Sequence, residues 1–387
     1  MASSQGSAQE TAARIHASAL VVDTHADTPQ RFLDEHWHFT AKLGAGMINL
    51  ASARAGNLAA EFFALWVDPE QYPAGTHAHR AFELLDATLE QVRIHSAELR
   101  LCLTPADILA ARAEGRFAVL LGLEGGHAIE NSLGLLRNFH RLGVRYLTLT
   151  WSNANAWAGS SGDPQATIQT LTPFGCDVVR EMNRLGMMVD ISHVSDETFW
   201  AVLETSSAPV IASHSSARAL TASPRNLTDD QLRALAAKGG VCMVNFFPGF
   251  IHEPWRRAWE TSRKERAALH AHAAAPYLAT GGPVPFHISD AVDKHFTTRI
   301  GPPPLSALID HIDHIVRIAG IDHVGLGSDF DGIPQLPANL TSAADLPLIT
   351  EALHQRGYTG QDLHKLLGHN LLRVFAQIQS QADQSSS

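Results

Sequence analysis

His25 and Asp27 stand one residue apart at the end of an apolar run, in "ALVVDTHADT". Residues i and i+2 of a strand point the same way, so this imidazole and carboxylate converge on one point if the extended chain persists. Other apolar runs end alike: "FAVLLGLE" in Glu124, "MMVDIS" before His193, "PVIAS" before His214, and "HVGLGSDFDG" in Asp329 and Asp331. Any one of these side chains alone is ordinarily a hydrogen-bonding or capping group. Together they pose a physical problem, because carboxylates crowded into a partly dry mouth repel one another and are pushed toward the neutral form. A divalent cation removes that penalty. Imidazole with carboxylate suits zinc, and five or six such donors can hold two ions, with Glu124 placed to bridge them.

The elements that must position these groups are legible as eight short apolar runs: "ALVVD", "EFFALWV", "FAVLLGLE", "RYLTLT", "MMVDIS", "PVIAS", "GVCMVNF" and "HVGLGSD". Most are apolar at successive positions, as expected of parallel strands covered on both faces. Amphipathic stretches such as "TPFGCDVVREMNRLG", "SDETFWAVLETSS" and "LTDDQLRALAAKGG" separate them, opening on Ser, Thr or Asp and closing on glycine. Eight β-then-α units predict an α/β fold, a (β/α)8 TIM barrel, whose chemistry sits at the C-terminal ends of the strands. Between the seventh and eighth runs the spacing breaks, over "FFPGFIHEP" to "ISDAVDKHF", which reads as a helical and loop excursion across one face. Residues 1–387 are expected to form a single catalytic domain, with flexible tails at 1–16 and 379–387.

The formal net charge of -10, without any Lys/Arg block, argues against nucleic acid or an anionic membrane as the main partner and favours a small molecule. No signal-like segment, bilayer-length apolar stretch or lipid-anchor signal is visible, so a soluble cytoplasmic protein is expected. Cys102, Cys176 and Cys242 are too scattered for a disulfide framework or a metal knot and read as small hydrophobes. His311 and His314, in "DHIDHIV", are expected on a polar helix face, and His127 and His140 in surface or supporting roles.

The motifs "DTHADT", "GLEGGHAIENSLGLLRNFHRLGVRYLTLT", "MMVDISHVSDETFW", "PVIASHSSARALTASPRNLTDDQL" and "DHIDHIVRIAGIDHVGLGSDFDG" resemble the renal or membrane dipeptidases, binuclear zinc peptidases within the amidohydrolase-like barrels. The resemblance spans nearly the whole chain outside the N-terminal tail and the excursion. It implies two zinc ions per chain, one on His25 and Asp27, the other on His193 and His214, with Glu124 bridging. It implies hydrolysis of L,L and L,D dipeptides by a hydroxide between the metals, with Asp329 handling its proton and Arg225, in "SPRNL", gripping the substrate carboxylate. It also suggests a homodimer.

One position departs from the family pattern. Trp151, after "RYLTLT", stands where many members carry a histidine thought to contact the substrate or the tetrahedral intermediate. Indole has one donor and no basic nitrogen, so it cannot replace a protonated imidazole. Trp151 either packs against a substrate side chain or fills core volume. The alternative activity is therefore a related amidohydrolase acting on N-acyl amino acids or other small amides. A metal-stabilised binding protein without turnover is a third reading, against which the retained Asp329 argues, because it offers a proton acceptor beside an open metal position.

Overall fold

The computed structural model describes residues 2–385, and side chains from residue 9 to residue 382. Its parallel strands are β1 (Val21–Ala26), β2 (Leu58–Trp66), β3 (Leu99–Leu101), β4 (Phe117–Glu124), β5 (Val144–Thr148), β6 (Met188–Asp190), β7 (Ile211–Ser215), β8 (Val241–Val244) and β9 (Val324–Leu326). Eight close into a barrel, in the order β1-β2-β4-β5-β6-β7-β8-β9, with Asp23 of β1 pairing back to Leu326 of β9. These eight coincide with the apolar runs. No apolar run announces β3, which lies along the first residues of β4, Leu99 against Phe117 and Leu101 against Val119, before β5 takes that edge from Leu121 onward.

Successive residues on the strands are apolar because each face has its own core. Val22, Phe62, Leu120, Tyr146, Met188 and Met243 fill the barrel, joined by Leu371, Val374 and Phe375 of the C-terminal helix. Val21, Phe63, Leu121, Leu147 and Val244 belong to the outer cluster formed with the surrounding helices. Phe62 and Phe63 thus serve opposite faces of one strand, as side-chain alternation requires. The helices begin as the sequence indicates: Thr172, Ser195 and Thr228 each accept a hydrogen bond from a backbone N–H of the first turn.

The excursion between β8 and β9 is helical, at Pro248–Ile251, Glu253–Thr261, Arg263–Leu278 and Phe286–Ile300. Two expectations need correction. The first is only of local structure: the terminal segments are helical at Ala2–Ser18 and within Asn370–Ser385; Met1, Ser386 and Ser387 lie outside the described residues. His16 fastens the first helix, being buried with Nδ1 2.7 Å from Thr350 Oγ1 and Nε2 2.8 Å from the Gly56 carbonyl. His311 and His314 are buried rather than on a polar face. His311 Nδ1 accepts the Ala217 N–H at 3.0 Å, and His314 Nε2 meets Asp229 at 2.6 Å, so tertiary neighbours satisfy both rings. All three cysteines are free. No helix among the described residues is long and apolar enough to cross a membrane.

Candidate metal centre

The strand ends bring His25, Asp27, Glu124, His193, His214 and Asp329 to one place, all of them buried. Two triads of donor atoms, His25/Glu124/His214 and His25/Asp27/Asp329, each fall within 4.8 Å of one another. Glu124 is central: Oε1 lies 3.0 Å from His193 Nε2 and 3.5 Å from His214 Nε2, and Oε2 lies 3.4 Å from His25 Nε2. His25 Nε2 is also 3.4 Å from Asp27 Oδ2. Asp331, one of the two strand-eight acids, turns away from the cluster: its carboxylate accepts Thr28 Oγ1 at 2.8 Å and the Met47 N–H at 2.6 Å.

Hydrogen bonds behind two of the imidazoles orient them, and for His214 they fix which nitrogen is free. Asp190 accepts the Ser213 hydroxyl at 2.5 Å and Thr148 Oγ1 at 2.6 Å. Since the Ser213 proton is committed to Asp190, Ser213 Oγ accepts from His214 Nδ1 at 2.8 Å, which leaves a lone pair on His214 Nε2. That lone pair faces His193 Nε2 at 3.0 Å. His25 Nδ1 meets the Tyr146 hydroxyl at 2.9 Å, again turning Nε2 toward the cluster. His25 Nε2 and Asp27 Oδ1 are buried without a hydrogen-bond partner. A free lone pair on His214 Nε2 and buried donor atoms without a hydrogen-bond partner are what a ligand set shows, and these residues fit divalent metal.

The carboxylates carry the same signature. Burial pushes the Asp27 carboxyl up to about 7 and also raises that of Asp329, with the neighbouring Glu124 charge acting in the same direction on both. The backbone holds two of these residues in the left-handed region, His193 at φ 69° and Asp329 at φ 64°, a strain that clusters at functional sites.

Gly332 makes room for the acids: a Cβ there would lie 2.1 Å from Asp27 Oδ2 and 2.5 Å from Asp329 Oδ1. Gly332→Ala is therefore expected to displace both carboxylates and to weaken divalent-metal affinity by about 10- to 100-fold. Competition against a chromophoric chelator measures this, and unchanged affinity would show that the close approach is unimportant.

A cavity of about 400 Å³ opens onto these donors. Arg225 and Trp151 line it, as do Trp66 from β2 and Phe247, Trp259, Arg266, Phe286 and Asp293 from the excursion, which thereby covers the mouth of the barrel. Arg225 is buried, donates to Ser215 Oγ at 3.2 Å and to the His214 carbonyl at 2.9 Å, and has no ion-pair partner among the described residues. Burial lowers its pKa to about 10, which still leaves it cationic at neutral pH.

Several supporting residues escaped the sequence reading. Asn245, whose Nδ2 donates to Asp329 Oδ2 at 2.9 Å, follows β8 and obeys the same strand-end rule as the candidate donors. Tyr146, Ser213 and Asp190 lie within or at the ends of strands, where nothing in the pattern separates them from core. His127, expected in a surface or supporting role, is buried with Nε2 2.8 Å from the Val67 carbonyl.

A family model described as membrane dipeptidase (peptidase family M19) matches residues 9–387. An uncharacterized dipeptidase of Schizosaccharomyces pombe is 34% identical over 388 residues, 95% of this chain and 82% of its own length. Among solved structures, the probable dipeptidase PvdM of Pseudomonas aeruginosa shares the fold, with a TM-score of 0.81 at 24% identity over 97% of this chain and 99% of that one. A metallopeptidase of Rhodobacter sphaeroides, liganded with a phosphinate mimic of the dipeptide L-Ala-D-Ala, has a TM-score of 0.75 at 26% identity over 93% and 99%. With a donor set suited to metal at the mouth of its barrel and this match along its length, the chain belongs to the membrane dipeptidase family, peptidase family M19, and is a metallo-dipeptidase.

Proposed function

We propose that this dipeptidase uses two zinc ions to hydrolyse L,L and L,D dipeptides. The observation that carries the reading is the gathering of His25, Asp27, Glu124, His193, His214 and Asp329 beneath a cavity that also holds a buried, unpaired Arg225. His25 and Asp27 would hold one ion, His193 and His214 the other, and Glu124 both. When bound, such ions supply Lewis acidity, lowering the pKa of water toward neutrality and polarising the scissile carbonyl.

The chain's own residues do the rest. Asn245 fixes one oxygen of Asp329, leaving the other to take the proton of the attacking water and return it to the leaving amine. A carboxyl group whose proton affinity is raised by burial is suited to both transfers. Arg225 presents a guanidinium to the substrate's terminal carboxylate and so sets the distance from that carboxylate to the scissile bond. Trp151 stands half-buried in the cavity wall, its ring 4.8 Å from Trp66 and 6.4 Å from His193, as a specificity residue rather than an oxyanion donor. The L-Ala-D-Ala mimic on the Rhodobacter sphaeroides relative supports acceptance of a D residue at the carboxyl side.

The zinc-loaded protein is expected to release amino acids from L,L and L,D dipeptides, and Arg225→Met to raise KM by about 10- to 100-fold with a smaller change in kcat. Turnover confined to N-acyl amino acids would overturn the dipeptide reading. An unchanged KM in the variant would remove Arg225 from binding.

A further inference from the structure

Beside the cavity over the metal donors lies a second, of about 680 Å³. The two share Trp66, Trp151, Phe286, Asp293 and Gly332, so they meet along an aromatic wall. The Trp66 ring stands 4.8 Å from that of Trp151 and 6.1 Å from that of Phe286. Arg225, Phe247 and Phe250 line the first cavity and not the second. A substrate whose carboxylate is held at Arg225 therefore meets the second cavity with its other end, the residue on the amine side of the scissile bond.

The second cavity is built from the loop after β2, the helix Pro29–Asp34 and the excursion, and these are tied together around it. Gln71 Oε1 accepts the Val284 N–H at 2.7 Å, and Asp34 Oδ2 accepts the Phe286 N–H at 3.2 Å. The excursion contributes an aliphatic surface of Ala271, Ala274, Leu278 and Val284. The loop contributes carboxylates.

Their charges do not balance. Asp34 is matched by Arg80 at 2.6 Å, and Asp293 by His270 at 2.9 Å and Arg266 at 3.6 Å. Asp68 and Glu70 have no Lys, Arg or His at ion-pair distance among the described residues. Asp68 accepts instead from the Glu70 N–H at 2.8 Å and from Gln71 Nε2 at 2.7 Å, which orients its carboxylate without neutralising it. A half-buried Asp68 and an exposed Glu70, uncompensated and lining the same open cavity as this aliphatic surface, match a side chain with a long apolar stem and a cationic head.

We infer that this second cavity is a subsite for the side chain of the amine-side residue, and that it selects lysine or arginine there. The inference rests on the dipeptidase reading with the carboxylate at Arg225. It is tested by kcat/KM of the zinc-loaded enzyme for Lys-Ala, Arg-Ala, Ala-Ala and norleucyl-Ala, the last keeping the lysine stem without its charge.

Lys-Ala is expected to exceed norleucyl-Ala by about tenfold or more. In the double variant Asp68→Asn/Glu70→Gln that ratio is expected to fall to within about twofold of unity, whatever the absolute rates. A ratio near one in the unaltered enzyme, or one that survives in the double variant, overturns the inference. So does a tripeptide or N-acyl amino acid hydrolysed faster than Lys-Ala, which would assign the cavity to an N-terminal extension. If Ala-Ala is hydrolysed without a lysine preference, the subsite alone fails; if no dipeptide is hydrolysed, the dipeptidase reading fails first.

Discussion

Glu124→Gln is expected to lower kcat/KM for dipeptides by at least about 10³-fold and to cut the bound divalent metal by at least half. The loss of rate corresponds to several kcal/mol of transition-state stabilisation, the scale on which metal ions act, at 1.36 kcal/mol per decade. The argument is geometric. One carboxylate touches all three imidazoles of the cluster, at 3.0, 3.4 and 3.5 Å, so neutralising it removes a ligand from both sides at once. The three imidazoles hold that carboxyl well below the usual range even though burial opposes it, so it is ionised at neutral pH. Glutamine keeps the volume and one acceptor oxygen, which separates the loss of charge from a packing defect. Elemental analysis of the purified variant beside its dipeptidase rate decides the matter. A full metal complement with full activity would mean that Glu124 is not a ligand.

Asp329→Asn is expected to separate binding from chemistry. Its kcat should fall by about 10²- to 10⁴-fold, the range for losing a positioned general acid–base, while bound divalent metal stays close to that of the unaltered protein. Retention is expected because His25, Asp27 and Glu124 remain on that side of the cluster. The amide matches the carboxylate in shape, and Asn245 Nδ2 can still donate to its oxygen. What the amide lacks is the capacity to take a proton. Equal activity would remove Asp329 from proton transfer, whereas loss of metal and rate together would make it a ligand first.

The barrel strands and the donor set were legible in the sequence for one reason: a parallel barrel strand buried on both faces is a continuous apolar run, and whatever polar residue ends it projects at the mouth. His25, Asp27, Glu124, His193, His214 and Asp329 all follow from that rule. Asn245 follows from it too and was overlooked because an amide is not a titratable group. β3 escaped because three residues, Leu99–Leu101, show no periodicity against the end of a long helix.

Tertiary structure decided everything that depends on distance between segments remote in sequence. Asp331 reads as well as Asp329 along the chain, yet the turn they share sends one carboxylate to the donors and the other to Thr28 and Met47. The chain from Asp190 through Ser213 to His214 fixes which nitrogen of His214 is free, and it joins the neighbouring strands β6 and β7, whose residues are remote in sequence. His311 and His314 look like a polar helix face until Ala217 and Asp229 are found against them. The second cavity has no sequence signature, because its wall joins a loop near residue 70 to helices near residues 270 and 290. Sequence alone determined which residue types end which strands, since burial on two faces is written locally. Only the folded chain determined where their lone pairs point and what surrounds the substrate, because those follow from closure of the barrel and the path of the excursion over its mouth.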